Sequence, residues 1–212
     1  GDTERYLDAS PALGLNNYEV KAFFQSQPAA ASTCLLELGV AAPSLSSCQQ
    51  QGAIVELQWT NNDTYDEILV RRDFSIIATL AGNATSYSDP QPNLGDHLYT
   101  LQGNRSGLSS SLDDCVMTYV VLAIDSLVCV PVFGQVSLSW NNPMSFDSVE
   151  ILRDSIVVAT IGGSETTYID TGLAPAVYEF AVQGRYQGAA ADAADCQVTI
   201  PVPPVSDLSC NA

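Results

Sequence analysis

The chain has 212 residues, six cysteines, one histidine, and a formal net charge of −17 from 7 basic and 24 acidic side chains. So acidic a surface is a poor match for a phosphate backbone, which is held mainly by Lys and Arg, and it is repelled by anionic membranes, so nucleic-acid partners are excluded. An apolar fraction of 46% separates it from a disordered acidic tail, and its longest nearly unbroken apolar run, residues 116–124, is under half of the ~20 residues a bilayer-spanning helix needs, so no membrane insertion is expected.

The cysteines form two interleaved series, 34/115/196 and 48/129/210, and every step in both is 81 residues. A spacing held four times makes the chain a tandem array. Other residues keep the same phase: Trp59 with Trp140, Asn61 with Asn142, Asp66 with Asp147, Arg72-Asp73 with Arg153-Asp154, Gly82 with Gly163, and Asp89 with Asp170. Tyr87, Asp89 and Tyr99 find earlier partners in Tyr6, Asp8 and Tyr18. The expected organisation is the C-terminal half of a repeat in residues 1–42, complete repeats at 43–123 and 124–204, and a first-strand stub at 205–212. No initiator Met or leader-type segment opens the sequence, so Gly1 is expected to be a processed end or a start within something longer.

Within a repeat the predicted elements run as follows. A first strand is expected around Cys48 or Cys129. Next, Val55, Leu57 and Trp59 alternate with polar residues, as do Val136, Leu138 and Trp140, the period of two that marks a strand with one buried face. Ile68 and Val70, or Val149 and Ile151, continue the pattern, and Arg72-Asp73 or Arg153-Asp154 marks a turn into the next strand. After Gly82 or Gly163 comes a short strand, Thr85-x-Tyr87-x-Asp89 or Thr166-x-Tyr168-x-Asp170. A sixth runs through 97–103 or 178–184, and the last carries Cys115 or Cys196. Seven short strands separated by Pro, Gly, Asn and Asp make an antiparallel β-sandwich, with almost no helix.

These residues resemble a fibronectin type III module, of the disulfide-bearing kind strung in tandem in large secreted bacterial proteins. The likeness is carried by Leu57-Gln58-Trp59 and Leu138-Ser139-Trp140, by the Thr-x-Tyr strand, and by a Leu-x-Pro turn leading into Tyr178, Phe180, Val182 and Gly184. It implies an all-β chain of tandem seven-stranded antiparallel β-sandwiches. Tyr178 keeps the position of the family's tyrosine corner, which His97 and Asn16 occupy in the other copies. The loops at 102–107 and 183–188 lack the Arg-Gly-Asp of the family's integrin binders, so integrin recognition is not implied.

Two cysteine pairings respect the period. Cys48 with Cys115 and Cys129 with Cys196 would join the first and last strands of a repeat. Pairing 34 with 48, 115 with 129 and 196 with 210 would bridge each junction and leave no thiol over. A sandwich sets its first and last strands close together. The junctions at 116–128 and 200–204 are instead expected to run extended, holding their cysteines beyond the ~4.4–6.8 Å Cα separation that a disulfide spans. The within-repeat pairing is therefore favoured, leaving Cys34 and Cys210 to a neighbouring module or subunit. Paired cysteines belong to an oxidising compartment, and no Cys-x2-Cys spacing suits zinc.

No nucleophile with its base and no phosphate loop is legible, so neither an enzyme nor a cofactor is expected. His97 reads as a hydrogen-bonded strand or corner residue. Asp66, Asp73, Asp89 and Asp114 fall at turns and strand ends, where carboxylates bond the backbone. The densest oxygen cluster, residues 61–67, has a composition suited to Ca²⁺. The next copy, residues 142–148, does not keep it, so no metal site is assigned. Asn62, Asn83 and Asn104 are glycosylation sequons in predicted loops. Phe23, Phe24, Phe74 and Tyr186 are candidate carbohydrate platforms, with core or turn packing the favoured reading.

The expectation is a non-enzymatic, secreted or cell-surface repeat protein whose end-to-end modules build a fibre or stalk by head-to-tail self-association. The alternative is an adhesin that binds a glycan or cell-surface protein, or a spacer in a larger secreted enzyme.

Overall fold

A computed structural model describes residues 5–90 and 92–202, and among them there is no helix. The first repeat contributes β1 (Gly14–Val20) and β2 (Ser32–Leu38), an antiparallel hairpin with Tyr18 opposite Cys34. The middle repeat has β3 (Ser44–Gln51), β4 (Ile54–Thr60), β5 (Glu67–Arg72), β6 (Ser75–Ala81), β7 (Ser86–Pro90), β8 (Gly95–Arg105) and β9 (Asp113–Tyr119). The next has β10 (Asp125–Val132), β11 (Gln135–Asn141), β12 (Ser148–Arg153), β13 (Ile156–Gly162), β14 (Thr167–Thr171), β15 (Val177–Tyr186) and β16 (Ala194–Thr199). Two-residue ladders, such as Phe23–Phe24 with Gln27–Pro28, extend the tips of the hairpins.

Each complete repeat forms a three-stranded sheet, β3-β4-β7 or β10-β11-β14, and a larger one. In the larger sheet β5 lies between β6 and β8, with β9 on the far side of β8; β12, β13, β15 and β16 repeat that order. First, second and fifth strands on one side, with the remaining four on the other, is the fibronectin type III strand order. The tandem all-β sandwich expected from the sequence is therefore present.

Alternation is what closes these sandwiches. Val55, Leu57 and Trp59 on β4 are 0, 0 and 4% exposed, and Val136, Leu138 and Trp140 on β11 have the same values, residue for residue. Across from them Ile68, Val70, Tyr99 and Leu101, or Val149, Ile151, Phe180 and Val182, are fully buried. Each such side chain contributes roughly 1.5–3 kcal/mol. The repeat extends to fine detail. A register shift falls between Val70 and Arg71 and again between Ile151 and Leu152. The turn after it holds Asp73 and Phe74 at φ 50° and 69°, and Asp154 and Ser155 at 51° and 67°. Two consecutive left-handed residues form the type I′ turn that suits twisted strands. Gly82 and Gly163 recur for a steric reason: a Cβ at either would overlap the backbone carbonyl of Tyr65 or Phe146.

The first repeat departs from expectation. The C-terminal half of a repeat, expected in residues 1–42, would bring the last three strands of a sandwich, and two long ones form. Residues 5–8, which carry the Tyr6-x-Asp8 counterpart of β7, join no ladder. In the complete repeats that strand pairs with β4 or β11, and no strand of that phase precedes β1 among the described residues. A strand without a neighbour has no backbone partner to hold it. The expected stub at 205–212 lies outside the described residues.

By packing, the chain divides into two compact units. One takes the chain up to Gln49, Glu56–Asp89 and Asp96–Met117; the other takes Gln50–Val55, Pro90–Gly95 and everything from Thr118 on. The division cuts across β3 and β9 rather than following the 81-residue period. In the first unit the Tyr65 hydroxyl donates to the Ala41 carbonyl (2.9 Å), and the Leu45 amide donates to Asp113 Oδ2 (2.6 Å). Inside the second, Gln50 Nε2 donates to the Val120 carbonyl (2.9 Å) while the Val120 amide donates to Gln50 Oε1 (3.1 Å). There too the Tyr119 hydroxyl donates to the Ala53 carbonyl (3.0 Å), and its ring meets Tyr186 edge-on at 6.3 Å between centroids.

Candidate interaction surface

The β1–β2 hairpin is a copy of the last hairpin of a sandwich. Tyr18 lies opposite Cys34 as Phe180 lies opposite Cys196, the same register 162 residues earlier. Alternation therefore sets Asn16, Tyr18, Val20, Cys34, Leu36 and Leu38 on the face that the other repeats turn inward. There the counterparts of Tyr18, Val20 and Leu38, which are Tyr99, Leu101 and Tyr119, are 0, 0 and 1% exposed, whereas Val20 is 71% exposed and Tyr18 and Leu38 are half-buried. Cys34 shares this face, is exposed, and stands outside any disulfide among the described residues.

Beside the apolar face is a partial polar cluster. The Tyr18 hydroxyl donates to Asp8 Oδ2 (2.8 Å), a bond that, with some shielding from water and the Asp8 charge, holds the phenol above its ordinary value. In the middle repeat Asp89 accepts from the Tyr99 hydroxyl (2.7 Å) and also pairs with Arg72 (2.5 Å). Burial first, then the bond to Asp89 and its charge, raise the Tyr99 phenol strongly. In the next repeat Arg153 pairs with Asp170 (2.6 Å), but Phe180 replaces the phenol. Arg153 also lies 6.0 Å from the centroid of the Tyr178 ring. The three copies thus hold acid with phenol, all three groups, and acid with guanidinium.

Cys48–Cys115 and Cys129–Cys196 are disulfides, with Cα atoms 6.5 and 6.4 Å apart, each closing a separation of 67 residues between first and last strands. Cys210 lies outside the described residues. Tyr178 donates to the Ala174 carbonyl (3.1 Å), the tyrosine-corner bond. Asn16 Nδ2 donates to the Ala12 carbonyl (2.7 Å), a bond of the same phase and span made by a shorter side chain. His97, buried, instead sits with Nδ1 2.7 Å from Asp73 Oδ2, while Asp73 Oδ1 accepts from the Leu98 amide (3.0 Å). Burial alone would raise the Asp73 carboxyl. The His97 bond, the Leu98 amide and the charges of His97 and Arg72 outweigh it and hold the group below its ordinary value.

The oxygens of residues 61–67 aim at separate donors rather than at a common centre. Asp63 takes Arg105 (2.7 Å), the Thr64 amide (2.7 Å) and the Ala41 amide (3.4 Å). Asp66 takes the Ser106 amide (2.6 Å), and Glu67 takes Asn104 (2.8 Å). Burial works to raise the Asp63 carboxyl, but the two amides and Arg105 prevail and lower it. No group of three metal-ligating side chains occurs among the described residues. A cleft of about 650 Å³ in the second unit, lined by Gly52, Asn142, Pro143, Met144 and Thr166 among others, carries no ionisable side chain. Among the described residues no helix is long and apolar enough to cross a membrane.

Of the sequons, Asn62 is exposed, with Nδ2 donating to the Ala42 carbonyl (2.8 Å) and the Ser44 hydroxyl (2.7 Å). Asn104 is half-buried on Glu67. Asn83 is exposed in the turn after Gly82, where a glycan would break neither arrangement. Phe23, Phe24 and Phe74 are 68, 77 and 82% exposed at turns, whereas Tyr186 is buried against Tyr119.

Sequence reasoning noticed Asn61 and Asn142 as repeated residues but gave them no role. Each accepts from the indole two residues before it, Trp59 at 3.1 Å and Trp140 at 3.0 Å. Each then donates to two carbonyls around the following glycine, Gly82 and Ala84 or Gly163 and Glu165. The recurring Trp-x-Asn was the available signal. Asp89, read from the sequence as a backbone-bonding carboxylate, instead takes the Arg72 and Tyr99 side chains; all three residues recur in phase, but they lie on three different strands, so their meeting was not legible.

No protein-family model and no curated protein matches the chain. Among solved structures it is similar to the central fibronectin-III array of RIM-binding protein, at 16% identity over 79% of this chain and 71% of that one, TM-score 0.37. It is also similar to a two-domain fibronectin type-III segment of chicken tenascin, at 14% identity over 74% of this chain and 99% of that one, TM-score 0.45. A third likeness is to the spore cortex lytic enzyme SleM of Clostridium perfringens, at 10% identity over 46% of this chain and 36% of that one, TM-score 0.37. The assignment of fold rests on the strand order above, and these likenesses carry no functional argument.

Proposed function

We propose that the protein is a non-enzymatic, extracellular structural repeat protein whose modules join end to end into a fibre or stalk. The single observation that carries this reading is the β1–β2 hairpin, whose core-phase face is open where its counterparts are buried. In the working protein that face is covered by strands of the same repeat phase, from a neighbouring copy or from chain continuous with it, and Cys34 pairs with a first-strand cysteine, the phase that Cys210 occupies. Two disulfides support an oxidising, extracellular setting. Apolar sheet faces left open bind other strands readily, and a head-to-tail contact of this kind builds filaments because it need not close. Negative-stain images of native material, with thiol titration alongside, test the reading. Filaments with Cys34 and Cys210 oxidised are expected; a stable monomer with two free thiols overturns it.

A second reading, a spacer or binding region of a larger secreted protein, draws on the divergence of loop 61–67 from 142–148 at otherwise identical phase. Glycan-array and pull-down measurements on the intact chain separate it from the first.

A further inference from the structure

A different face of the molecule breaks the rule of charge. On the outer side of β10-β11-β14, Val128 lies opposite Ser139, Val130 opposite Ser137 and Val132 opposite Gln135. Across the next ladder Ser139 lies opposite Thr167, Ser137 opposite Ile169 and Gln135 opposite Thr171. These nine residues alternate with the buried Val136, Leu138 and Trp140, so they share the solvent side of the sheet. Val128, Val130, Val132 and Ile169 are 52, 50, 48 and 54% exposed. None of the nine is ionisable, in a chain whose net charge is −17. On this outer face the first carboxylate is Asp125, opposite Asn141 at its end; Asp170 of β14 is on the buried side.

The middle repeat shows that the fold does not require this. At the same phases it carries Ser47, Gln49, Gln51, Ile54, Glu56, Gln58, Ser86, Ser88 and Pro90. The valine row is replaced by Ser and Gln, Ile169 by Ser88, and the central Ser137 by a glutamate. One sheet has the ordinary polar outer face of an antiparallel sandwich, and the other has a face fit for burial.

We propose that the outer face of β10-β11-β14 is a self-association surface on which a second copy of the chain docks sheet to sheet. Charge selects the occupant. Two copies of so acidic a protein repel wherever carboxylates face each other, and this uncharged face is where they meet without that repulsion. A basic partner finds no carboxylate among the nine residues, and a glycan finds no aromatic ring. The row of Val on β10 and the Thr-Ile-Thr row on β14 flank Gln135, Ser137 and Ser139 on β11. A two-fold axis sets the two sheets face to face at the ~10 Å spacing of packed sheets. Three strands by five residues cover roughly 250 Å², well below the ~800 Å² per partner of a standard stable complex, so the contact is weak and lateral. It is independent of what covers the β1–β2 hairpin.

Sedimentation equilibrium of the oxidised full chain carrying Cys34→Ser tests it, with Cys210 also replaced so that thiol-linked species are not counted. Dimerisation is expected to strengthen at least several-fold between low salt and ~0.5 M NaCl as like-charge repulsion is screened. Ser137→Glu, which installs the residue the middle repeat tolerates at that phase, is expected to weaken association at least ten-fold, and Ile169→Lys likewise. Gln49→Glu, at the Val130 phase of the middle repeat, and Val20→Glu on the hairpin should leave it unchanged, and circular dichroism checks that every variant is folded. A chain monomeric at all salt concentrations, retention of full association by Ser137→Glu, or tighter association by Ile169→Lys overturns the proposal. A loss equal to that of Ser137→Glu caused by Val20→Glu also overturns it, placing the contact on the hairpin.

Discussion

Val20 and Leu101 hold the same position in two successive repeats, one 71% exposed and the other fully buried. The hairpin that holds Val20 has the strand order, register and acid–phenol bond of its counterparts. Among the described residues its core-phase face is left open. Pairing of adjacent strands is a local property, set by a turn and by alternation. Burial is not local; it arrives from residues some 30 to 65 positions earlier in the repeat. The first repeat therefore displays a sandwich hairpin before its core exists, and the middle repeat shows the same hairpin after.

That contrast can be broken most severely by removing a side chain that only the complete repeat buries. Leu101→Ala is expected to destabilise the middle repeat by about 2–5 kcal/mol, read by denaturant unfolding of Trp59 fluorescence in a Trp140→Phe background. Val20→Ala at the equivalent position should change stability by no more than about 0.5 kcal/mol. Equal effects would mean that the hairpin is already covered.

The disulfides draw the same line. Replacing Cys48 and Cys115 by Ser is expected to lower the midpoint of the middle repeat by the equivalent of about 2–4 kcal/mol, while Cys34→Ser leaves it in place.

A smaller effect separates the three polar clusters. Tyr99→Phe, which imitates Phe180, is expected to cost about 1–2 kcal/mol by leaving a buried Asp89 oxygen short of one donor. The same variant should change the pH profile. Burial and the bond to Asp89 raise the folded Tyr99 phenol above its ordinary value of 10.0, so its contribution is whole below pH 10 and is lost as pH climbs beyond. Tyr99→Phe flattens that alkaline loss. On the acid side Asp63 and Asp73, both lowered, contribute above their unfolded values and lose that contribution as pH falls through their folded ones, a limb Tyr99→Phe should not touch.

The smallest expected change is a gain. Phe74 is held at φ 69° and is 82% exposed. Phe74→Gly should stabilise the middle repeat by about 0.5–1 kcal/mol, since glycine adopts that backbone without a Cβ conflict.

Much of this was readable in advance. The cysteine period and the Val55-Leu57-Trp59 alternation were enough to place the strands and sheets, because both follow from a face that must be buried on every second residue. The disulfide pairing followed from which strands a sandwich sets close together. The missing third strand of the first repeat was not readable, since Tyr6-x-Asp8 carries the pattern of β7 but a pattern cannot supply a neighbour. Asn16 was recognised at the Tyr178 position, but its bond to Ala12 was not readable, because nothing in the sequence says that a shorter amide still reaches that carbonyl. The uncharged face of β10-β11-β14 was written in Val128, Val130 and Val132, but alternation alone does not tell an inward valine from an outward one.

The two disulfides have a consequence under tension. Each joins the first strand of a sandwich to its last, so a pull on the chain ends passes through the sulfur bridge and leaves the enclosed 67-residue separation unloaded. A sandwich that loosened would lengthen the chain hardly at all. Reducing the bridge would release roughly 220–240 Å of hidden contour per module, at ~3.3–3.6 Å per residue. Oxidised, each complete repeat would resist extension; reduced, each would yield its enclosed length as a reserve.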